Sequence, residues 1–202
     1  MKIRRLVMVL ITTALVACMP VAKLKYGITK PKDQTPASIA KFLTKNQYPL
    51  NNQFILKDSA TFVKWINDSA FRTMALRTIL FKGDFQRIVE DTTKCQWSGG
   101  YFIRQLKKDS IYAVAATIPF DEFYAMLRPL FDTPSMPVVA RGEYDFIVVN
   151  TWVMFIGKMN ERLFATVVPA RERDDLKILV INVNLDMQKD WALDEENRIK
   201  FK

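Results

Sequence analysis

The fold of this chain is decided by one stretch, Leu176–Asp186, which reads LKILVINVNLD. Its apolar run over Lys177–Val183 is nearly continuous, which is typical of a strand covered on both faces of a parallel sheet. A second β-rich run, Tyr144–Trp152, precedes it, and apolar residues at helical spacing lie between the two. Strand, helix and strand in this order predict a β-α-β crossover. We therefore predict an α/β fold, with a central sheet flanked by helices.

Helices and strands are also predicted upstream of this unit. Thr35 followed by Pro36 has the pattern of a helix N-cap with proline at the first helical position. Pro134 and Pro137 mark a loop, with a candidate boundary near residues 132–142. Asp186 is expected to cap a last helix that exposes Asp190 and Glu195. The other predicted elements are strands at Gln53–Leu56, Leu76–Phe81, Phe85–Glu90 and Ile111–Thr117, helices beginning at Asp58 or Ser59 and after Gly99-Gly100, and a helix from Phe120 towards Leu130 that Pro129 should end or bend.

The first residues have the three zones of an export signal. A basic start is followed by the apolar run Leu6–Leu15, which is too short to span a bilayer, since a transmembrane helix needs roughly 20 apolar residues. The run ends in Leu15-Val16-Ala17-Cys18, which resembles the lipobox of bacterial lipoproteins. The resemblance implies that the Cys18 thiol is lipidated, that residues 1–17 are removed as a signal peptide, and that residues 18–34 form a lipidated tether. An ordinary secretory signal with an incidental cysteine is the alternative.

The region 35–202, and above all Asp145–Asp186, resembles a thioredoxin-like domain. In that family a tryptophan precedes the Cys-x-x-Cys motif, a proline kinks the following helix, and the next strand closes on an aspartate. Trp152, Pro169 and Asp186 match these features in order. The motif itself is replaced by Val153, Met154, Phe155 and Ile156, so dithiol exchange is impossible there. The resemblance implies a non-catalytic module whose binding surface is the degenerate loop from Trp152 to Ile156.

The earlier half of the chain resembles the back end of the same family. Leu76–Phe85 is similar to its second hairpin, Tyr101–Lys108 to its closing helix, and Leu76 stands where the family has a cis-proline. Back end before front end implies either one circularly permuted domain, which we favour, or two eroded halves packed together. The chain as a whole resembles lipoproteins of Bacteroidetes-type bacteria that carry a degenerate thioredoxin-like domain.

Cys95 is the one residue that offers enzyme chemistry. It opens a Cys-x-x-Ser spacing with Ser98, follows Lys94 and precedes a predicted helix. A thiol beside a cation and near a helix start can be partly ionised at neutral pH. The alternative function is therefore a monothiol redox or peroxide-handling lipoprotein, although a lone cysteine is more often a small inert core residue.

Composition and charge exclude several other classes. The chain has no histidine, which removes Ser-His-Asp catalysis and most zinc or haem ligation. We expect no metal and no cofactor. Removing residues 1–17 takes three of 30 Lys and Arg and none of 21 Asp and Glu, so the mature chain carries 27 against 21, or +6. Cations interleaved with acids are a poor match for nucleic-acid binding.

Together these features predict a lipid-anchored protein of the cell envelope that faces the periplasm. Its partners would be membrane lipid, through the acylated Cys18, and an envelope protein that the module binds or organises. Met19 is not the aspartate that resembles an inner-membrane retention signal, which favours the outer membrane. Part of the basic excess, including Lys25, Lys30 and Lys32, lies in the tether. There it is either a solvated linker, which we favour, or a contact to anionic lipid.

Overall fold

A computed structural model of the 202-residue chain describes residues 25–69, 73–89, 99–115, 118–131 and 138–199. These residues form one mixed sheet of six strands with helices packed on it, which confirms the predicted α/β class. The elements in chain order are α1 (Pro36–Lys45), β1 (Gln53–Leu56), α2 (Ser59–Asn67), β2 (Thr78–Lys82), β3 (Arg87–Ile88), α3 (Gly99–Gln105), α4 (Phe120–Tyr124), β4 (Leu127–Pro129), β5 (Phe146–Trp152), a 3-10 segment (Met154–Met159), α5 (Asn160–Arg171), β6 (Ile178–Asn184) and a 3-10 turn (Lys189–Trp191).

The middle of the sheet is built from the two runs that the sequence singled out. β5 and β6 are parallel, with Phe146 opposite Ile178 and Trp152 opposite Asn184. All seven residues of β5 are buried. A strand without an exposed face must be covered by other elements on both sides, so the apolar run is explained by its central place.

The strand order is β3-β2-β5-β6-β1-β4. β1 runs parallel to β6, and β2 runs antiparallel to β5. The β2–β3 hairpin closes one edge, and β4 pairs antiparallel with β1 at the other. Strands from before and after residues 132–142 therefore belong to one sheet.

The two faces of the sheet carry separate clusters of apolar side chains. On one face, Phe62 and Trp65 of α2 and Phe120 and Phe123 of α4 pack over Ile147 and other strand residues. The opposite face is covered by α1, α3 and α5, through clusters that include Ile39, Ile103, Trp152, Phe164 and Val167. Because β5 and β6 are parallel neighbours, the segments that follow the two strands lie side by side at one edge of the sheet.

Local sequence signals account for the helix starts. The Thr35 hydroxyl accepts the Ser38 N–H and the Ser38 hydroxyl accepts the Thr35 N–H, so the predicted N-cap is confirmed as a capping box. The Asp58 carboxylate accepts the Thr61 N–H at 2.7 Å, which places the second helix start at Asp58.

Three predicted elements are wrong. The helix from Phe120 stops at Tyr124, and Leu127–Pro129 is a strand, because pairing with β1 satisfies main-chain groups that a helix ending at Pro129 would leave open. In place of a strand at Ile111–Thr117, the described residues up to Ala115 form only an isolated bridge, Ile88 to Val114. The last helix is only the turn Lys189–Trp191, which ends where Ala192 takes a left-handed conformation.

Within the described ranges, no helix combines the length and the apolar character that crossing a bilayer requires.

Candidate functional site

The candidate site lies where β5 and β6 end. After Trp152 the chain enters the 3-10 segment Met154–Met159, and the segment turns at Gly157 before α5 begins. Leu185 and Asp186 follow the neighbouring strand β6. In open α/β sheets the carboxyl ends of the strands are where ligands bind, because the loops there diverge and leave a crevice.

A cleft of about 170 Å³ opens at this edge. The degenerate loop contributes Val153 and Phe155, and Leu76 approaches from the segment before β2. An apolar cavity of about 150 Å³ stays dry and takes up benzene, so this cleft has room for one ring or a short alkyl group. Its described lining residues are all apolar: Phe62, Trp65, Ile66, Ala75, Leu76, Val153, Phe155, Leu185 and Ile199.

The five residues predicted to form the binding loop lie on two sides of the sheet. Val153 and Phe155 line the cleft. Trp152 is fully buried on the other face, where its ring lies 5.8 Å from that of Phe42 in a stacked arrangement. Met154 packs against the same cluster as Trp152, whereas the buried Ile156 belongs to the cluster on the cleft side.

Leu76, for which the resemblance predicts the place of a cis-proline, lines the same cleft as Val153 and Phe155. It leaves 40% of its surface exposed and has a φ of 54°. A left-handed backbone is uncommon for a residue with a bulky side chain. No described residue follows a cis peptide bond.

The loop is held from inside by Asp186. One carboxylate oxygen, Oδ2, accepts the Met154 N–H at 2.7 Å and the Asn184 side-chain N–H at 2.8 Å. Only 2% of Asp186 is exposed, and this burial raises the pKa of its carboxyl to about 6, although the two hydrogen bonds act in the opposite direction. The expectation that Asp186 caps the helix that follows is wrong: only the turn Lys189–Trp191 forms there, with Gln188 at its N-cap, and Asp186 bonds the loop instead.

A second polar side chain completes this internal support. Asn160, at the start of α5 and fully buried, donates from Nδ2 to the Val153 carbonyl at 2.7 Å. The carbonyl and the N–H of the peptide unit between Val153 and Met154 are therefore both held by buried polar side chains. A loop restrained in this way presents Val153 and Phe155 in a defined position.

From outside, the loop is held by residues 26–34, which we call the docking segment. The Thr29 N–H donates to the Phe155 carbonyl at 2.8 Å. Gly157 has a φ of 55°, and a Cβ there would lie 2.3 Å from the Tyr26 carbonyl oxygen. Further along, Gln34 exchanges main-chain hydrogen bonds with Met187 and Lys189. The part of the predicted tether that the structure describes thus lies against the body.

Main-chain groups of the residues that flank the cleft-lining Ala75 and Leu76 are paired within the protein. The Arg77 N–H donates to the Thr151 hydroxyl at 3.1 Å, and the Arg77 carbonyl accepts the Thr151 N–H at 3.0 Å. The Thr151 hydroxyl in turn donates to the Met74 carbonyl at 2.7 Å. The cleft therefore offers apolar side chains and few free hydrogen-bonding groups.

The contribution of α2 was not predicted from the sequence. Phe62, Trp65 and Ile66 have the spacing of one helix face, and this spacing is the same for a core face and for a face that borders a cleft.

Cys18, Cys95 and Ser98 lie outside the described residues. Among the residues that are described, no three Asp or Glu side chains come together in a way that would hold a metal ion.

Comparison with known proteins gives no relative: no family model, no curated protein and no solved structure matches the chain significantly.

Proposed function

We propose that this protein is a lipoprotein of the bacterial cell envelope, anchored through Cys18 and facing the periplasm from the outer membrane. Its body is a non-catalytic, circularly permuted thioredoxin-like module, and it binds the apolar part of another envelope component. The observation that carries the binding function is the apolar cleft formed by Val153 and Phe155 together with Leu76 and α2.

The strand arrangement supports the thioredoxin-like interpretation. The unit β5-α5-β6 with its parallel pair corresponds to the front end of that fold, and the antiparallel β2–β3 hairpin beside β5 corresponds to its back end. α3, which follows the hairpin along the chain, packs on α5. Pro169 lies within α5, where the resemblance expects a kinking proline.

The chemistry of the loop supports binding without catalysis. The positions of the Cys-x-x-Cys motif hold Val153–Ile156, which provide neither a nucleophile nor a proton donor. Burying one large apolar side chain or an equivalent group is worth about 1.5–3 kcal/mol, which gives weak binding in solution. Anchoring the module on the same membrane as its ligand raises the effective concentration and makes such weak binding useful.

The anchor and the cleft are tested separately. Radiolabelled palmitate should label the full chain and should fail to label Cys18→Ser. For the cleft, Trp65 fluorescence of the full chain is titrated with hexanol and, as a polar control, with glycerol, and Trp65→Phe identifies the signal of that residue. We expect a saturable change with hexanol only, because the cleft has an apolar lining.

Two matched variants decide whether the signal comes from the cleft. Leu76→Asn makes the lining polar while keeping a residue that tolerates the left-handed backbone at this position. Ile111→Asn makes the same kind of change at a fully exposed residue away from the cleft. Hexanol affinity should fall in Leu76→Asn and stay unchanged in Ile111→Asn. Equal affinity in the two variants would contradict the binding site.

A further inference from the structure

We infer that the cleft takes the terminal carbons of one acyl chain of a membrane phospholipid, and that this contact holds the body against the bilayer. The inference rests on the proposed function, from which it takes the anchor at Cys18. It names the ligand class that the cleft recognises.

The main chain around the cleft is already hydrogen-bonded within the protein. An extended peptide gains much of its affinity from main-chain hydrogen bonds, and its side chains add specificity. Here the Met154 N–H is taken by Asp186, the Phe155 carbonyl by Thr29, and the N–H and carbonyl of Arg77 by Thr151. A ligand that needs no hydrogen bonds, such as an alkyl chain, fits these surroundings better than a peptide.

Only a short length of chain separates the cleft from the proposed anchor. The docking segment begins at Tyr26, whose carbonyl lies against Gly157, two residues after the cleft-lining Phe155. Tyr26 is eight positions after Cys18. An extended chain covers at most about 3.6 Å per position, or about 29 Å in total. A lipidated Cys18 thus keeps the cleft within reach of the bilayer surface.

The charge of the docking segment and the size of the cleft also favour a lipid. Lys25, Lys30 and Lys32 are exposed on or beside the docking segment, and Asp33, the acid among them, is paired with Arg198. Exposed cations on the segment that follows the proposed anchor favour a bilayer surface that carries anionic headgroups. The volume of the cleft, about 170 Å³, suits the end of one chain and excludes a headgroup.

The test uses the full lipidated chain in vesicles of phosphatidylglycerol brominated at the chain ends, with Trp65 fluorescence as the readout and Trp65→Phe as the reference. Bromine quenches only nearby indoles. We expect terminally brominated chains to quench Trp65 and chains brominated beside the ester to leave it bright. Leu76→Asn should abolish the quenching, and Ile111→Asn should keep it. Vesicles of brominated phosphatidylcholine should quench less, because they lack net negative charge.

Several results would overturn the inference. Quenching by bromines near the ester alone would mean that Trp65 only touches the bilayer surface. No quenching would mean that the cleft is empty or holds an unbrominated group, including the chains on Cys18. A further variant, Phe201→Ala, tests whether the residues after Ile199 compete with lipid for the cleft. Quenching in this variant but not in the natural chain would mean that those residues occupy it.

The two levels of the proposal can fail separately. If hexanol binds in a Leu76-dependent way but brominated lipid does not quench, the acyl-chain ligand is wrong and the binding function stands. If hexanol does not bind either, the binding function fails as well. Failure of palmitate labelling removes the anchor, whatever the cleft binds.

Discussion

Replacing Asp186 with asparagine should remove one contribution to the pH dependence of folding stability, the loss of stability as the pH rises through the pKa of this buried carboxyl. The carboxylate is almost completely buried, and burial raises its pKa from 3.8 to about 6. Because the folded protein holds this proton more tightly than the unfolded chain, the free energy of unfolding falls as the pH rises through this interval and changes no further above it. A pKa difference of this size corresponds to about 3 kcal/mol.

Asparagine keeps the geometry that the loop needs. The Met154 N–H and the Asn184 amide both donate to the same oxygen, Oδ2, so one amide oxygen can accept both hydrogen bonds. Any loss from imperfect bonding is the same at every pH. The stability of Asp186→Asn relative to the natural chain should therefore be higher at pH 7 than at pH 4 by up to about 3 kcal/mol.

Urea denaturation followed by far-UV circular dichroism, in steps from about pH 4 to pH 7, measures this difference. Carboxylates with lowered pKa values, such as Asp58 and Asp145, stabilise the fold less at lower pH. Their contributions are the same in both proteins and cancel in the difference. Asp175→Asn is the control, because this exposed carboxyl has a lowered pKa beside Arg173. Parallel pH curves for the natural chain and Asp186→Asn would refute the reasoning.

Three further predictions concern the loop and its neighbours. Gly157→Ala should destabilise the protein by more than Gly142→Ala in urea denaturation. Both glycines have positive φ, which costs an alanine about 1–2 kcal/mol at either position, but only at Gly157 would the Cβ meet main-chain atoms of the docking segment. Equal losses of stability would mean that the docking segment does not lie against Gly157. Thr151→Val should cost about 1–3 kcal/mol in the same assay, because the buried Met74 carbonyl and the part-buried Arg77 N–H lose the hydroxyl as their partner. A neutral result would contradict those hydrogen bonds. Leu76→Asn should change stability by no more than about 1 kcal/mol, since relief of the left-handed backbone offsets lost contact, and a large loss would show that Leu76 is a core residue.

Sequence patterns predicted the elements that depend on local signals. The capping box at Thr35, the strand Gln53–Leu56 and the two central strands were all found near their predicted positions. These elements carry their own determinants, either a capping side chain or an apolar run long enough to cross a buried sheet. The β2–β3 hairpin was also found, although β3 is only Arg87–Ile88.

What the patterns missed depends on contacts between distant parts of the chain. Leu127–Pro129 becomes a strand because β1 has a free edge there, and helical spacing around Leu127 cannot reveal that edge. Asp186 was interpreted from its neighbours in sequence, whereas its partner is Met154, 32 residues away. The cleft could be predicted only in part: the loop residues were named from the resemblance, but their apolar partners on α2 have the same spacing as a core face.

The position of Asp186 links stability to the proposed binding function. Of the buried polar residues that the structure describes, it is the one that can ionise; the others are amides and threonines. At neutral pH a charge in this place costs free energy that an uncharged residue would avoid. Strained or costly groups persist where surrounding structure demands them, and they concentrate at functional sites. This one lies directly behind the two loop residues that line the cleft. The buried carboxylate thus lowers stability but fixes the positions of Val153 and Phe155, which is expected where the shape of a loop matters for binding.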